Sequence, residues 1–213
     1  MSNGRLAAIA WLLFAAAGGG VLRAAPPAPA AATRTSESAA AGTQADFDHF
    51  VDRLAADWMR ANPQAATTQQ YFSGAEQDAL DGELSALDAQ YGTPYGTDEL
   101  AAYVVRARSG LERVRAFRRD RLSDVQRVSA AMLEWQLEDA LSMAQFADQR
   151  FVFEQFRGLH VALVNFLSQI HPLRTPRDVD NYLARLARLA PVLDQGIEVA
   201  RARAAKGLSL IHI

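Results

Sequence analysis

The sequence predicts an all-α protein, an irregular bundle of about six helices. Apolar residues recur at helical spacing in several separate stretches, and helix-start signals stand ahead of them. No stretch has the sustained apolar–polar alternation of a half-buried strand. The nearest approach is Phe151, Phe153 and Phe156, which read better as aromatics on a connector packed against the bundle.

Residues 1–24 read as an export signal. Arg5 supplies the positive end, Leu6–Ala17 the short apolar core, and Gly18, Gly19 and Gly20 break it before it could comfortably span a bilayer. Cleavage is expected after Ala24, with a site near Ala28-Pro29-Ala30 and an uncleaved anchor as the alternatives. Residues 25–42 (APPAPAAATRTSESAAAG) carry no large apolar side chain, so burial cannot offset the entropy of ordering; they read as a disordered linker. The helical domain is expected to span 43–207.

Its first helix carries Phe47, Phe50, Val51, Leu54 and Trp58 on one face and stops before Pro63. A turn and a short helical piece follow over Asn62–Thr68. From Tyr71 to Tyr95, glycines and Pro94 interrupt any period, and Leu80, Leu84 and Leu87 suggest one short helix. Thr97-Asp98-Glu99 reads as the cap of the next helix, with two acids near its positive end and a buried stripe of Leu100, Tyr103, Val104, Ala107, Leu111 and Val114. Arg106, Arg108, Arg113, Arg115, Arg118 and Arg119 accompany that helix. They read as a solvated face paired with Glu134, Glu138 and Asp139 of the following one. Ser123-Asp124-Val125-Gln126 is a capping box, opening a helix with Val125, Val128, Met132, Trp135 and Leu141 on its apolar face.

Leu159, Leu163, Phe166, Leu167 and Ile170 mark a helix that must end near His171, because Pro172 biases its predecessor away from helical angles. Thr175-Pro176-Arg177-Asp178 then starts a helix with a cap, a proline where no N–H is needed and a back-reaching acid. Its apolar face is read as Val179, Tyr182, Leu183, Leu186 and Leu189, with Arg177, Arg185 and Arg188 on the polar sides. Pro191 either kinks it or begins a second helix with Val192, Leu193, Ile197 and Ala200; Gly207 is the stop. Trp58, Trp135 and Leu186 are expected to meet in one core.

The 213 residues suffice for one medium domain or a piece of a larger one. A net charge of −2 without a long basic run argues against nucleic-acid binding. There is no cysteine, hence no disulfide, thiolate zinc site, cysteine nucleophile or lipid-modified cysteine. With the export signal, this points to a soluble periplasmic or secreted protein that touches the membrane through the signal segment alone.

No motif carries catalysis. His49, His160, His171 and His212 have no partner at metal-ligand spacing. On one helix His160 and His171 would stand roughly 16 Å apart by helical rise, too far for one ion; each reads as a hydrogen-bonded helix-end residue, and His49 as solvated. Asp78, Asp81 and Glu83 lack the alternation of a calcium loop and read as a solvated loop. Nucleophile-elbow, phosphate-loop and dinucleotide motifs do not occur. No catalytic, cofactor-binding or metal residue is therefore assigned.

Asn62-Pro63-Gln64-Ala65-Ala66-Thr67, Tyr71-Phe72-Ser73-Gly74, Phe166-Leu167-Ser168-Gln169-Ile170-His171-Pro172 and Asp178-Val179-Asp180-Asn181-Tyr182-Leu183-Ala184-Arg185-Leu186, followed by Pro191 and Lys206-Gly207, resemble the bacterial family called domain of unknown function 885. The resemblance covers about Phe47 to Gly207. It implies a long, mostly helical, often exported protein similar to zinc metallopeptidases, with a motif like H-E-x-x-P-G-H in its C-terminal half. No position here matches that motif. The chain is therefore expected to be the N-terminal part of a larger helical fold, non-catalytic by itself, with zinc and a peptide substrate belonging to the full-length parent. Residues 208–213 (LSLIHI) break from the family pattern and read as a non-native tail left by truncation. The second reading is a self-sufficient, non-catalytic helical binding module of the periplasm. Oligomeric state is left open.

Overall fold

The computed structural model describes residues 43–208. The expected export signal (1–24), the expected linker (25–42) and residues 209–213 lie outside the described residues. Among the described residues seven α-helices follow one another: α1 (Gln44–Arg60), α2 (Pro63–Gln69), α3 (Gly74–Asp81), α4 (Thr97–Ala116), α5 (Asp124–Ala144), α6 (Leu159–Asn165) and α7 (Pro176–Ala205). Single 3-10 turns at Arg119–Arg121 and Ala147–Gln149 trail α4 and α5, and α6 runs on into a wider π turn at Phe166–Ile170. The class is all-α.

Side chains fix most helix starts. Thr43, Ser123 and Thr175 each form a full capping box, with Asp46, Gln126 and Asp178 reaching back. Asn62 accepts from the Ala65 N–H at 3.0 Å, and Pro63 takes the first helical position of α2. The expected cap at Thr97 is displaced by one residue: Gly96 is the N-cap and bonds no side chain, while Asp98 and Glu99 lie in the first turn of α4 as expected.

Two apolar cores form. The first joins α1, α4 and α5 through Phe47, Phe50, Val51, Tyr103, Ala107, Leu111, Val114, Leu133 and Leu137. Gly110 lets these helices close up: a Cβ there would stand 3.1 Å from Leu54 Cδ1 and 3.3 Å from Leu137 Cδ1. The second joins α6, the π turn and α7 to the 84–95 loop through Leu84, Tyr95, Val152, Leu159, Leu163, Phe166 and Val192. On the surface, Glu134 accepts from Arg115 and Arg119, each at 2.7 Å, and Glu138 also pairs with Arg115, as the basic face of α4 implies.

Several expectations are overturned. The short helix is Gly74–Asp81, ended at Gly82; Leu84 and Leu87 are buried outside any helix, where Leu87 pairs with Pro94 and Tyr95 N–H donates to Ala86 C=O. The apolar face read for α5 is largely its wet face, with Val125 and Val128 each 60% exposed and Trp135 59%. The core side is Gln126, Ser129, Ala130, Leu133, Gln136, Leu137 and Ala140. The cap explains the rotation: Gln126 Nε2 donates to Gln44 C=O at 2.9 Å and to Asp48 at 2.8 Å, turning that side of α5 toward α1. Pro191 begins no new helix, and α7 runs through it. Trp58 packs edge-on to Tyr103, but Trp135 and Leu186 face outward, so the three do not meet in one core. Of the three connector aromatics, Phe153 packs inward while Phe151 and Phe156 are exposed.

A stability comparison tests the rotation of α5. Leu137→Ala is expected to cost about 2–5 kcal/mol as a cavity in the first core. Trp135→Ala should stay within about 0.5 kcal/mol, as for a surface position. Urea denaturation of both variants reads the difference, and the reverse order would place the wrong face inside.

Candidate functional site

The side chain buried most completely for its size is a cation. Arg185, in the middle of α7, has no exposed surface. It was expected on a polar side of that helix. Instead α7 buries Asn181, Arg185, Val192, Gly196 and Arg203, while Val179, Leu183 and Leu186 lie on the exposed side. Gly196 explains the closeness of the α7–α6 approach, since a Cβ there would meet Leu159, Phe153 and Val152.

A buried guanidinium is tolerated only where its donors find acceptors. Arg185 Nε donates to Glu83 C=O at 2.8 Å. Nη2 donates to Leu80 C=O at 2.9 Å and to the Thr67 hydroxyl at 2.6 Å, with Pro63 C=O at 3.5 Å. Nη1 lies 2.7 Å from His171 Nδ1. The flat face of the group covers the Phe166 ring, 4.8 Å from its centroid. Thr67 then relays the charge, its hydroxyl donating to Asp81 Oδ1 at 2.5 Å. Asp81 also accepts from Gln77 Nε2 at 2.8 Å, and Gln77 Oε1 accepts the Phe72 N–H at 2.8 Å. Asp81 is buried, not solvated as expected; Glu83 remains outside and pairs with Arg188 at 2.8 Å.

These bonds settle the histidine's state. Arg185 is a donor without an acceptor, so His171 Nδ1 must accept and carries no proton. Nε2 then holds the hydrogen and donates it to Asp178 C=O at 3.1 Å. Burial first, and the Arg185 charge after it, depress the proton affinity of the ring below the usual histidine value, against the Asp178 backbone bond and the Asp81 and Asp178 charges. Burial likewise pushes the Arg185 guanidinium down to about 10, with Asp81 and Glu83 opposing, and it stays a cation at neutral pH.

Chemically, the arrangement is a lock. Every acceptor of Arg185 belongs to a segment that must be held: α2, the end of α3, the loop after it and the π turn. The Thr67 hydroxyl is occupied in both directions, so it is no nucleophile. His171 is a hydrogen-bonded helix-end residue, as expected, His160 lies against Phe153, and His49 is exposed. Among the described residues no group of three or more His, Cys, Asp or Glu could hold a metal ion, and no helix is long and apolar enough to cross a membrane. The signal that could have found Arg185 is its register. Asn181, Arg185, Val192, Gly196 and Arg203 share a helical face whose glycine marks a close approach.

Fold and centre together define a helical domain pinned through a buried arginine. The chain belongs to the family described as bacterial protein of unknown function (DUF885), whose profile matches residues 63–212. That match opens at Pro63, the residue whose carbonyl faces Arg185. No curated protein and no solved structure matches the chain.

Two measurements test the lock. Arg185→Ala leaves Thr67, Leu80, Glu83 and His171 without their donor and should cost about 3–5 kcal/mol. The pH dependence follows from His171. Its folded pKa lies below that of the unfolded chain, so the unfolded state takes up a proton first as pH falls. Stability from this group should be complete above about pH 6.5 and decline below it, until the folded ring is protonated as well. His171→Asn keeps an acceptor for Arg185 without a titrating ring. Its urea midpoint should lose that part of the pH slope.

Proposed function

We propose that this chain is the N-terminal helical portion of an exported, zinc-dependent, peptidase-like hydrolase, whose catalytic residues lie further along the parent protein. The observation that carries this reading is the outer face of α7. Val179, Leu183, Leu186 and Ile197 recur along one side of the longest helix and are 45%, 57%, 40% and 37% exposed. Such a stripe, continued by Ile170 and Leu173 on the approach to the helix, is the kind of surface a further layer of the same fold covers. The resemblance of the family to zinc peptidases supplies the chemistry, and the described helices would form one wall of the substrate channel. The export signal at residues 1–24 would deliver the protein to the periplasm or the medium.

A non-catalytic helical binding module is the second reading. The exposed ridge of Val125, Val128, Met132 and Trp135 on α5 favours it, because that ridge lies on a different helix from the α7 stripe.

Sequencing the genomic DNA past the codon for Ile213 separates the two. An open frame containing H-E-x-x-P-G-H, whose extended product holds one zinc per chain by elemental analysis and loses peptide hydrolysis to a chelator, bears out the hydrolase. In that product Leu183→Glu and Leu186→Glu should each cost several kcal/mol, about the cost of burying an unpaired charge. In the present chain they should change stability by no more than about 0.5 kcal/mol. A stop codon in place of the extended frame would sink the hydrolase reading and leave the binding module.

A further inference from the structure

At the end of the fold where the 88–95 loop meets the chain after α5 and the last turns of α7, two more arginines are enclosed. The Arg203 side chain is 6% exposed and that of Arg150 15%. Unlike Arg185, they are not satisfied. Arg150 Nη1 and Nη2 and Arg203 Nε are buried and have no hydrogen-bond acceptor among the described residues. Arg203 Nη1 does donate to Arg150 C=O at 2.6 Å, which fixes the two residues side by side.

The neighbouring carboxylates are already engaged. Asp88 Oδ1 accepts the Gln90 and Tyr91 N–H groups at 2.9 and 2.8 Å. Its Oδ2 faces the Tyr95 hydroxyl at 3.5 Å and stays 3.9 Å from Arg150 Nη1. Asp148 is held by Lys206 at 2.6 Å and reaches Arg203 Nε only at 4.0 Å. Arg150, Arg203 and Lys206 thus face Asp88 and Asp148, leaving one positive charge over. Buried charged donors without acceptors are costly, and a guanidinium edge matches the paired oxygens of an oxyanion. The cover is Tyr91, 39% exposed, whose ring lies over the Arg150 guanidinium at 4.6 Å. It stands on the tight turn that Gly92 closes at φ +61°.

We propose that Arg150 and Arg203 form a binding site for a small oxyanion, a carboxylate or phosphoryl group, entered by displacement of the Tyr91 ring. The site needs nothing from the hydrolase reading. It lies apart from the Arg185 lock and uses donors that the fold leaves without a hydrogen-bond acceptor. Tyr95, held protonated by burial and the Asp88 charge, adds a hydroxyl at its edge.

The test is a titration of the full chain at pH 7 and constant ionic strength with inorganic phosphate, with acetate, and with an N-acetyl dipeptide as free acid and as amide. Calorimetry reads affinity, and the ¹⁵N resonances of the arginine Nε groups show where the ligand sits. Saturable binding is expected, with the Arg203 Nε resonance shifting and affinity falling about tenfold or more in Arg150→Gln. A preference for phosphate identifies a phosphoryl ligand, and binding of the free acid but not the amide identifies a carboxylate. Chloride producing the same response, an unmoved Arg203 resonance in the unaltered chain, or undiminished affinity in a folded Arg150→Gln would each overturn the proposal. The resonance readout needs no variant, so a misfolded Arg150→Gln would not rescue it.

Discussion

The bond set of Arg185 is the constraint on which the placing of α2 and α3 against α7 depends. Neither α2 nor α3 is long enough to persist alone, and their buried faces are partly polar: Thr67 on one, Gln77 and Asp81 on the other. Apolar burial alone could not hold such helices against α7. One guanidinium does so by offering donors in a fixed plane to carbonyls of three segments, to a hydroxyl and to an imidazole. Lysine, with a point charge and a flexible stem, could not reach the same acceptors at once.

The middle and the C-terminal end of α7 show how differently the same residue type can be used. At Arg185 every listening group around the cation has been turned to accept. At Arg203 one nitrogen, Nη1, is bonded to Arg150 C=O, but Arg203 Nε and both Nη groups of Arg150 find no hydrogen-bond acceptor, although the side chains are nearly as deep. Burial is similar and satisfaction is not. A fully bonded cation acts as a fastening, whereas an underbonded one leaves room in its coordination for a visitor.

Much of the fold was legible in the sequence because helix caps are local. Ser123 and Thr175 need only a residue three positions away, and the structure has each where the sequence puts it. What was not legible depended on distant partners. Arg185 scores as a surface residue until Glu83, Leu80 and Thr67 are brought to it from across the chain. On α5 both sides carry apolar residues. Val128 and Trp135 fit a helical period as well as Leu133 and Leu137 do, and only the contact of Gln126 with α1 decides between them. Asp81 was misread for the same reason, its burial being a property of Thr67 and Gln77.

The acceptors of Arg185 at Glu83 and Pro63 lie 102 and 122 residues before it in the chain. A ribosome or an export channel delivers the polypeptide from its N-terminal end, so α2, α3 and the loop behind them emerge long before the residue that fastens them. The α1–α4–α5 core has all its parts by Ala144 and can close early. The 63–87 region must wait, its carbonyls open to water, until α7 arrives. Chain order therefore makes the first-made short helices among the last to be secured, and any ribosomal pause before codon 185 lengthens the interval in which they stand exposed.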